Sequence, residues 1–324
     1  MDRISGAKIV VTGKIPEVAL EKLKKSNEVI SWGEETPISR DELLKRVSGA
    51  NVIVSLLTEK IDEEVLTSAG NDLKAVCNVA VGYNNIDVAA CKNKNVLVTN
   101  TPGVLTDATA DIAMALILMT TRRLSEGERV IRNQDPWAWG MFYMLGSSIQ
   151  NQTLGIVGMG QIGIATALRA KSFGMKIIYT RRNRLDEKIE KELSAQYVSL
   201  DDLLQQSDIV SLHCPYSTET HHLISDAQLS KMKKTSYLIN TARGPIVNEE
   251  ALANALINKT IAGAGLDVYE NEPKVNEKLL KLDNVVLLPH LGSATVETRT
   301  AMATTAANNA LEILSGNKPL NPVY

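Results

Sequence analysis

The stretch Thr153-Leu154-Gly155-Ile156-Val157-Gly158-Met159-Gly160-Gln161-Ile162-Gly163 decides the fold. An apolar run of strand length meets a G-x-G-x-x-G turn, and a helical pattern follows as far as Ser172. Strand, tight glycine turn and helix in that order make an anion site. The glycines let backbone approach a pyrophosphate, and the helix N-terminus offers unpaired N–H groups at the positive end of its dipole. Gly158, Gly160, Gln161, Ile162 and Gly163 are therefore candidate dinucleotide contacts.

Six strand-like runs extend outward from this motif: Thr153–Val157, Lys176–Thr180, Asp208–His213, Ser236–Asn240, Ile261–Val268 and Asn284–Leu288. With helical patterns between them, they imply a doubly wound, Rossmann-type parallel sheet. The second run ends Thr180-Arg181-Arg182. An NAD-binding chain places an acid about 20 residues past the glycines, on the ribose 2′-hydroxyl. Here two arginines stand instead, and a guanidinium fork suits a 2′-phosphate. Thr180 can add a hydrogen bond. The expected cofactor is NADP(H), with NAD possible.

Residues 1–100 already form a complete alternation of short β-branched runs and helical patterns, without a glycine fingerprint. That implies a separate α/β domain with its own parallel sheet. Thr101-Pro102-Gly103 is a turn, after which Thr106 can cap a helix that is apolar nearly all round from Ala108 to Met119. Such a helix is expected to be buried on every side, as a connector between domains. A long amphipathic helix, Ser293 to Leu314, is expected to return to the first domain. The resulting organisation is a flavodoxin-like substrate domain, 1–100 plus 292–324, and a dinucleotide-binding domain, 101–291. A double hinge near Thr101 and Leu291 would join them across a cleft. Segment 123–150 carries Trp137, Trp139 and Phe142 amid loop chemistry. A second copy of the chain is the expected cover for these aromatics, so the segment reads as a dimerisation arm.

Composition excludes several classes. A net charge of −2 gives no pull toward nucleic acid or an anionic membrane. Three widely spaced cysteines argue against a disulfide framework or a zinc site, and the reading is a cytoplasmic protein that binds no metal. The cation cluster at Lys231, Lys233 and Lys234 reads as a solvated helix end, and His221 and His222 as surface residues.

Three strand ends carry chemistry: Asn240-Thr241-Ala242-Arg243-Gly244-Pro245, Asp267-Val268-Tyr269-Glu270-Asn271-Glu272-Pro273 and Pro289-His290-Leu291-Gly292-Ser293-Ala294-Thr295. An Arg, a Glu and a His thus arrive at one edge of one sheet, beside the nucleotide site, where open α/β sheets bind ligands.

These motifs, with Val79-Ala80-Val81-Gly82-Tyr83-Asn84-Asn85-Ile86-Asp87, resemble the D-2-hydroxyacid dehydrogenase family in order and spacing along essentially the whole chain. Within it the chain is most similar to the glyoxylate/hydroxypyruvate reductase branch, which includes 2-ketogluconate reductases. The resemblance implies reduction of a small 2-keto acid. Arg243 would clamp the carboxylate and polarise the keto oxygen. His290 would be the general acid in reduction and the base in oxidation, with Glu272 favouring its imidazolium form. The family also implies that the Val81 and Gly82 amides hold the substrate carboxylate and that Leu57 walls the pocket. Asp267 would hold the nicotinamide carboxamide, with Thr109 and Thr241 nearby. Cys214, Pro215 and Thr220 would border the adenosine end. A nucleotide-sensing corepressor-like protein and a phosphite dehydrogenase are the alternatives on the same scaffold.

Overall fold

Residues 6–324 are described by a computed structural model, and residues 1–5 of the expected first domain lie outside them. The chain divides into two compact units. One comprises the residues up to Leu105 with Thr295–Tyr324, and the other is Thr106–Ala294.

Among the described residues, the first unit holds β1 (Lys8–Val11), β2 (Glu28–Ser31), β3 (Val52–Ser55), β4 (Ala75–Asn78) and β5 (Leu97–Thr99). They are all parallel, in the flavodoxin-like order β2-β1-β3-β4-β5. Every residue of β3 and β4 is buried, because parallel strands need crossover helices and those helices cover both faces. Alternation along the strands divides the core in two. Ile9, Val11, Val52 and Val54 pack with Ala303, Ala306, Ala307 and Ala310 of the helix Val296–Leu314. Val10, Ile53 and Val76 face Leu43, Val47 and Val65. Each fully buried Val, Leu or Ile contributes about 1.5–3 kcal/mol. Ser39, Asp62, Asp87 and Thr295 cap their helices by accepting the amide three residues on, for about 1 kcal/mol each.

The second unit holds β6 (Thr153–Val157), β7 (Lys176–Thr180), β8 (Ala195–Tyr197), β9 (Ile209–Leu212), β10 (Tyr237–Asn240), β11 (Gly263–Leu266) and β12 (Val285–Leu287). The parallel order is β12-β11-β10-β9-β6-β7-β8. The six expected strands are present, and β8 is a seventh. It is a three-residue edge strand paired with β7, and its partly exposed positions carry no apolar pattern.

The helix Thr106–Thr121 differs from its expected all-round burial. Thr109, Ala110, Ala113, Met114, Leu116, Ile117 and Thr120 are buried, while Asp107 and Asp111 stay exposed. These carboxylates pair with Arg169 of the helix Gln161–Ser172, at 2.9 and 2.6 Å. Gly265 of β11 allows the close approach, since a Cβ there would meet Leu116 Cβ at 3.1 Å and Thr120 Cγ2 at 3.2 Å. The helix is therefore a packed layer of the second unit with one wet face, and Thr106 lies inside its first turn rather than capping it. The next helix, Leu124–Arg132, buries none of its residues, and beyond it Trp139 is 80% and Phe142 88% exposed.

Candidate active site

Strand order in the second unit switches between β6 and β9. The glycine turn follows β6 at that point, where α/β sheets open a crevice. Gly158 has φ +95°, and a Cβ on it would lie 2.4 Å from the Cys214 nitrogen. Only glycine lets this turn pack directly on the backbone leaving β9. A Cβ on Gly163 would meet Gly158 O at 2.6 Å, whereas one on Gly160 would meet nothing within 4 Å. Gly160 starts the helix Gln161–Ser172 with no side-chain cap on its leading N–H groups.

Two buried polar atoms at adjacent strand ends, His213 Nδ1 and Thr241 Oγ1, have no hydrogen-bond partner among the described residues. Buried polar groups are normally satisfied, so these await a ligand or water. Burial pushes the His213 imidazole down to about 4, and its Nε2 is 2.8 Å from Ser211 Oγ. An open glycine cradle, an uncapped helix start and orphaned polar atoms together fit a dinucleotide.

At the tip of β7 three arginines take different roles. Arg181 donates to Met159 O of the glycine turn at 3.0 Å, and Arg182 is exposed. Arg184 instead pairs bidentately with Glu190 at 2.8 Å on each oxygen. Arg184 and then the Tyr179 hydroxyl hold the Glu190 carboxyl down at about 2. Arg184 is thus committed to the fold.

Arg243, Glu272 and His290 follow the neighbouring strands β10, β11 and β12. Buried Asn240 shapes the first of these turns, donating to Arg243 O at 3.0 Å and accepting from the Ala242 amide at 3.0 Å. Gly244 has no room for a side chain, because a Cβ would fall 1.8 Å from the Tyr269 carbonyl carbon. The arginine turn and the Tyr269–Glu270 backbone therefore press together. His290 Nδ1 lies 2.8 Å from Glu272 Oε2, and Glu272 Oε1 accepts from the Tyr269 amide at 3.0 Å. Both side chains are about one-third exposed, at 32% and 35%.

Electrostatics link the three groups. Burial pushes the Arg243 guanidinium down from its ordinary value, and the Glu272 charge opposes this. Burial would raise Glu272, but the His290 bond and charge, the Tyr269 amide and the Arg243 charge outweigh it and hold the carboxyl below its ordinary value. His290 has φ +55°, in the left-handed region that a non-glycine residue rarely adopts unless its surroundings impose it. The surroundings are identifiable: buried Asp267 accepts from the amides of Leu291 at 2.6 Å and Gly292 at 2.8 Å. Thr109 Oγ1 donates to Gly292 O at 3.1 Å. Asp267 and Thr109, expected at the nicotinamide, hold the turn that presents the imidazole.

Other residues are placed less simply. Cys214 backs Gly158 through its main chain, and Pro215 is exposed. The Thr220 hydroxyl is engaged within its own turn, donating to Pro215 O at 2.8 Å and accepting from the Ser217 amide at 2.7 Å. His221 is exposed, but His222 corrects the surface reading: it is partly buried, with Nε2 2.5 Å from Glu270 Oε1. No spacing rule marks it, because its partner lies 48 residues away. Two of the three clustered cations are likewise paired, Lys231 with Asp201 and Lys233 with Asp208, both at 2.7 Å.

In the first unit Leu57 follows β3, and Val81 and Gly82 follow β4. Asparagines given no role in the sequence reading shape these loops. Asn85 donates to Leu56 O at 3.0 Å, Asn78 to Gly82 O at 2.9 Å and Asn100 to Val81 O at 2.8 Å. Among the described residues no cluster of three or more potential metal ligands occurs, and no helix is long and apolar enough to cross a membrane.

Residues 114–292 match the family model described as D-isomer specific 2-hydroxyacid dehydrogenase, NAD binding domain. A glyoxylate reductase of Pyrococcus horikoshii is 47% identical over 317 residues, covering 96% of this chain and 94% of that protein. The crystal structure of a glyoxylate reductase from Paecilomyes thermophila superposes with a TM-score of 0.90 at 33% identity, over 99% of both chains. An NADPH-dependent glyoxylate/hydroxypyruvate reductase from Sinorhizobium meliloti, solved with NADP and malonate, gives 0.86 at 34% identity, over 98% of this chain and 97% of that one. With the dinucleotide cradle and the Arg, Glu and His at successive strand ends, these similarities establish that the chain belongs to the D-isomer specific 2-hydroxyacid dehydrogenase family.

Proposed function

We propose that this enzyme reduces a small 2-keto acid, such as glyoxylate, hydroxypyruvate or 2-ketogluconate, to the D-2-hydroxy acid with NADPH. The observation that carries the proposal is the His290–Glu272 bond beside an arginine whose charge acts on the same carboxylate. Arg243 pairs with the substrate carboxylate and draws charge from the keto oxygen. His290 gives its Nε2 proton to the forming alkoxide, while Nδ1 stays on Glu272. The bound nicotinamide supplies the hydride. In the reverse direction His290 takes the hydroxyl proton. The Val81 and Gly82 amides are assigned to the carboxylate and Leu57 to the pocket wall.

The glycine turn, with Gln161 and Ile162, is assigned to the pyrophosphate, and Thr241 to the cofactor through its orphaned hydroxyl. Preference for NADPH over NADH is assigned to Thr180, Arg181 and Arg182. Arg181 already lies against the glycine turn, and no acid stands at the strand tip to repel a 2′-phosphate.

The functional form is proposed to be a cytoplasmic homodimer built through segment 123–150, whose exposed aromatics call for a cover. A panel of 2-keto acids of increasing chain length, each with NADPH and NADH, tests the activity. Oxidation of NADPH by at least one acid supports it. No oxidation by any of them, with the cofactor bound, favours a nucleotide-sensing protein.

A further inference from the structure

The His222–Glu270 contact lies outside the groups assigned to chemistry, yet Glu270 is only two residues from Glu272. Its carboxylate ties its own turn to His222 and to the start of the helix Glu249–Ile257. One oxygen meets His222 Nε2 at 2.5 Å, and the other accepts from the Glu249 amide at 2.9 Å. The Glu270 amide in turn donates to Glu249 Oε1 at 2.5 Å. His222 adds a link of its own, donating its amide to Pro245 O at 2.8 Å, two residues beyond Arg243. It sits at φ +51°, a backbone conformation that these contacts impose.

The imidazole is held at both nitrogens. Asn248 commits its oxygen to the Ala251 amide, so its Nδ2 faces His222 Nδ1 at 3.4 Å. His222 therefore donates from Nε2 to Glu270 and accepts at Nδ1. Between these groups runs the backbone of Gly244, pressed onto Tyr269–Glu270 too closely for any Cβ. The arginine turn is thus gripped from two sides, by His222 at Pro245 and by the Glu270 segment at Gly244.

We propose that Glu270 and His222 are positioning residues that set the spacing between the Arg243 guanidinium and the Glu272 carboxylate. The inference rests on the proposed keto-acid reduction. Small misplacements of reacting groups cost about 100-fold in rate, so a clip of this kind should be visible in turnover. The His222 side chain is about one-third and the Glu270 side chain about one-fifth exposed, at 33% and 21%, so truncation leaves a polar gap that water can enter.

The test is steady-state kinetics of Glu270→Ala, Glu270→Gln and His222→Ala, with NADPH affinity by fluorescence and melting temperature alongside. Expected is a loss of about 10- to 100-fold in kcat/KM for the keto acid in both alanine variants, with NADPH affinity within about twofold. Glu270→Gln keeps an acceptor for the Glu249 amide and should recover at least half of that loss on a logarithmic scale. Alanine variants that melt earlier but turn over as wild type would overturn the inference, as would a glutamine variant no better than alanine. Should Glu270→Ala fail to fold, His222→Ala alone decides by the same criterion. A wild type that reduces no 2-keto acid would instead sink the activity itself.

Discussion

His290 Nδ1 and Glu272 Oε2 stand 2.8 Å apart although eighteen residues separate them in the chain. The two strands that deliver them, β11 and β12, are parallel neighbours, so both side chains emerge at the same sheet edge. Glu272 is held below its ordinary value of 4.5, burial being outweighed by His290, the Tyr269 amide and Arg243. A carboxyl of lowered pKa binds fewer protons in the folded than in the unfolded chain across the acid range. Its stabilisation is therefore complete above the unfolded value and is lost as pH falls through the folded one. The melting temperature of wild type should exceed that of Glu272→Gln at pH 7, and the gap should close as pH falls below the ordinary carboxyl value and through the lowered folded one. A gap that widens in acid would show that Glu272 is not held as a carboxylate.

Arg243 faces Glu272 electrostatically and is proposed to face a substrate carboxylate as well. A lysine keeps the charge but loses the planar fork. Arg243→Lys should raise KM for the keto acid about 10- to 100-fold and lower kcat, at nearly unchanged NADPH affinity. Wild-type kinetics in this variant would show that a point charge suffices and that no bidentate clamp operates.

The arginines beyond β7 separate by their contacts. Arg181→Ala with Arg182→Ala should raise KM for NADPH far more than KM for NADH. Arg184→Ala should leave that ratio within about twofold, because its guanidinium is committed to Glu190. A ratio that moves only in the Arg184 variant would relocate the phosphate site.

Deleting Asp135–Phe142 removes the exposed Trp137, Trp139 and Phe142 from a segment with no regular structure. Light scattering should report a dimer for wild type and a monomer for the deletion. A dimer in both would place the interface elsewhere.

Most of the fold was legible because buried parallel strands advertise themselves as β-branched runs, and glycine turns as fixed spacings. The strand β8 was not, since an exposed three-residue edge has no apolar signal. The helix Thr106–Thr121 misled for a related reason. Its wet face consists of Asp107 and Asp111 at the N-terminal end, and their partner Arg169 lies 58 residues beyond Asp111. In the site, Arg243, Glu272 and His290 were readable from strand-end position. That Asp267 and Thr109 also hold a turn was not, because their partners there are backbone groups of a turn whose φ +55° no sequence pattern encodes. His222 was passed over because its glutamate comes from a distant strand end.

The most direct test follows NADPH oxidation by glyoxylate in wild type and in His290→Ala, with NADPH affinity measured on both. If the imidazole held by Glu272 is the acid, kcat should fall by about 10²- to 10⁴-fold while cofactor affinity stays within about twofold. Equal loss of turnover and NADPH binding, or full turnover without the imidazole, would contradict the assignment of His290.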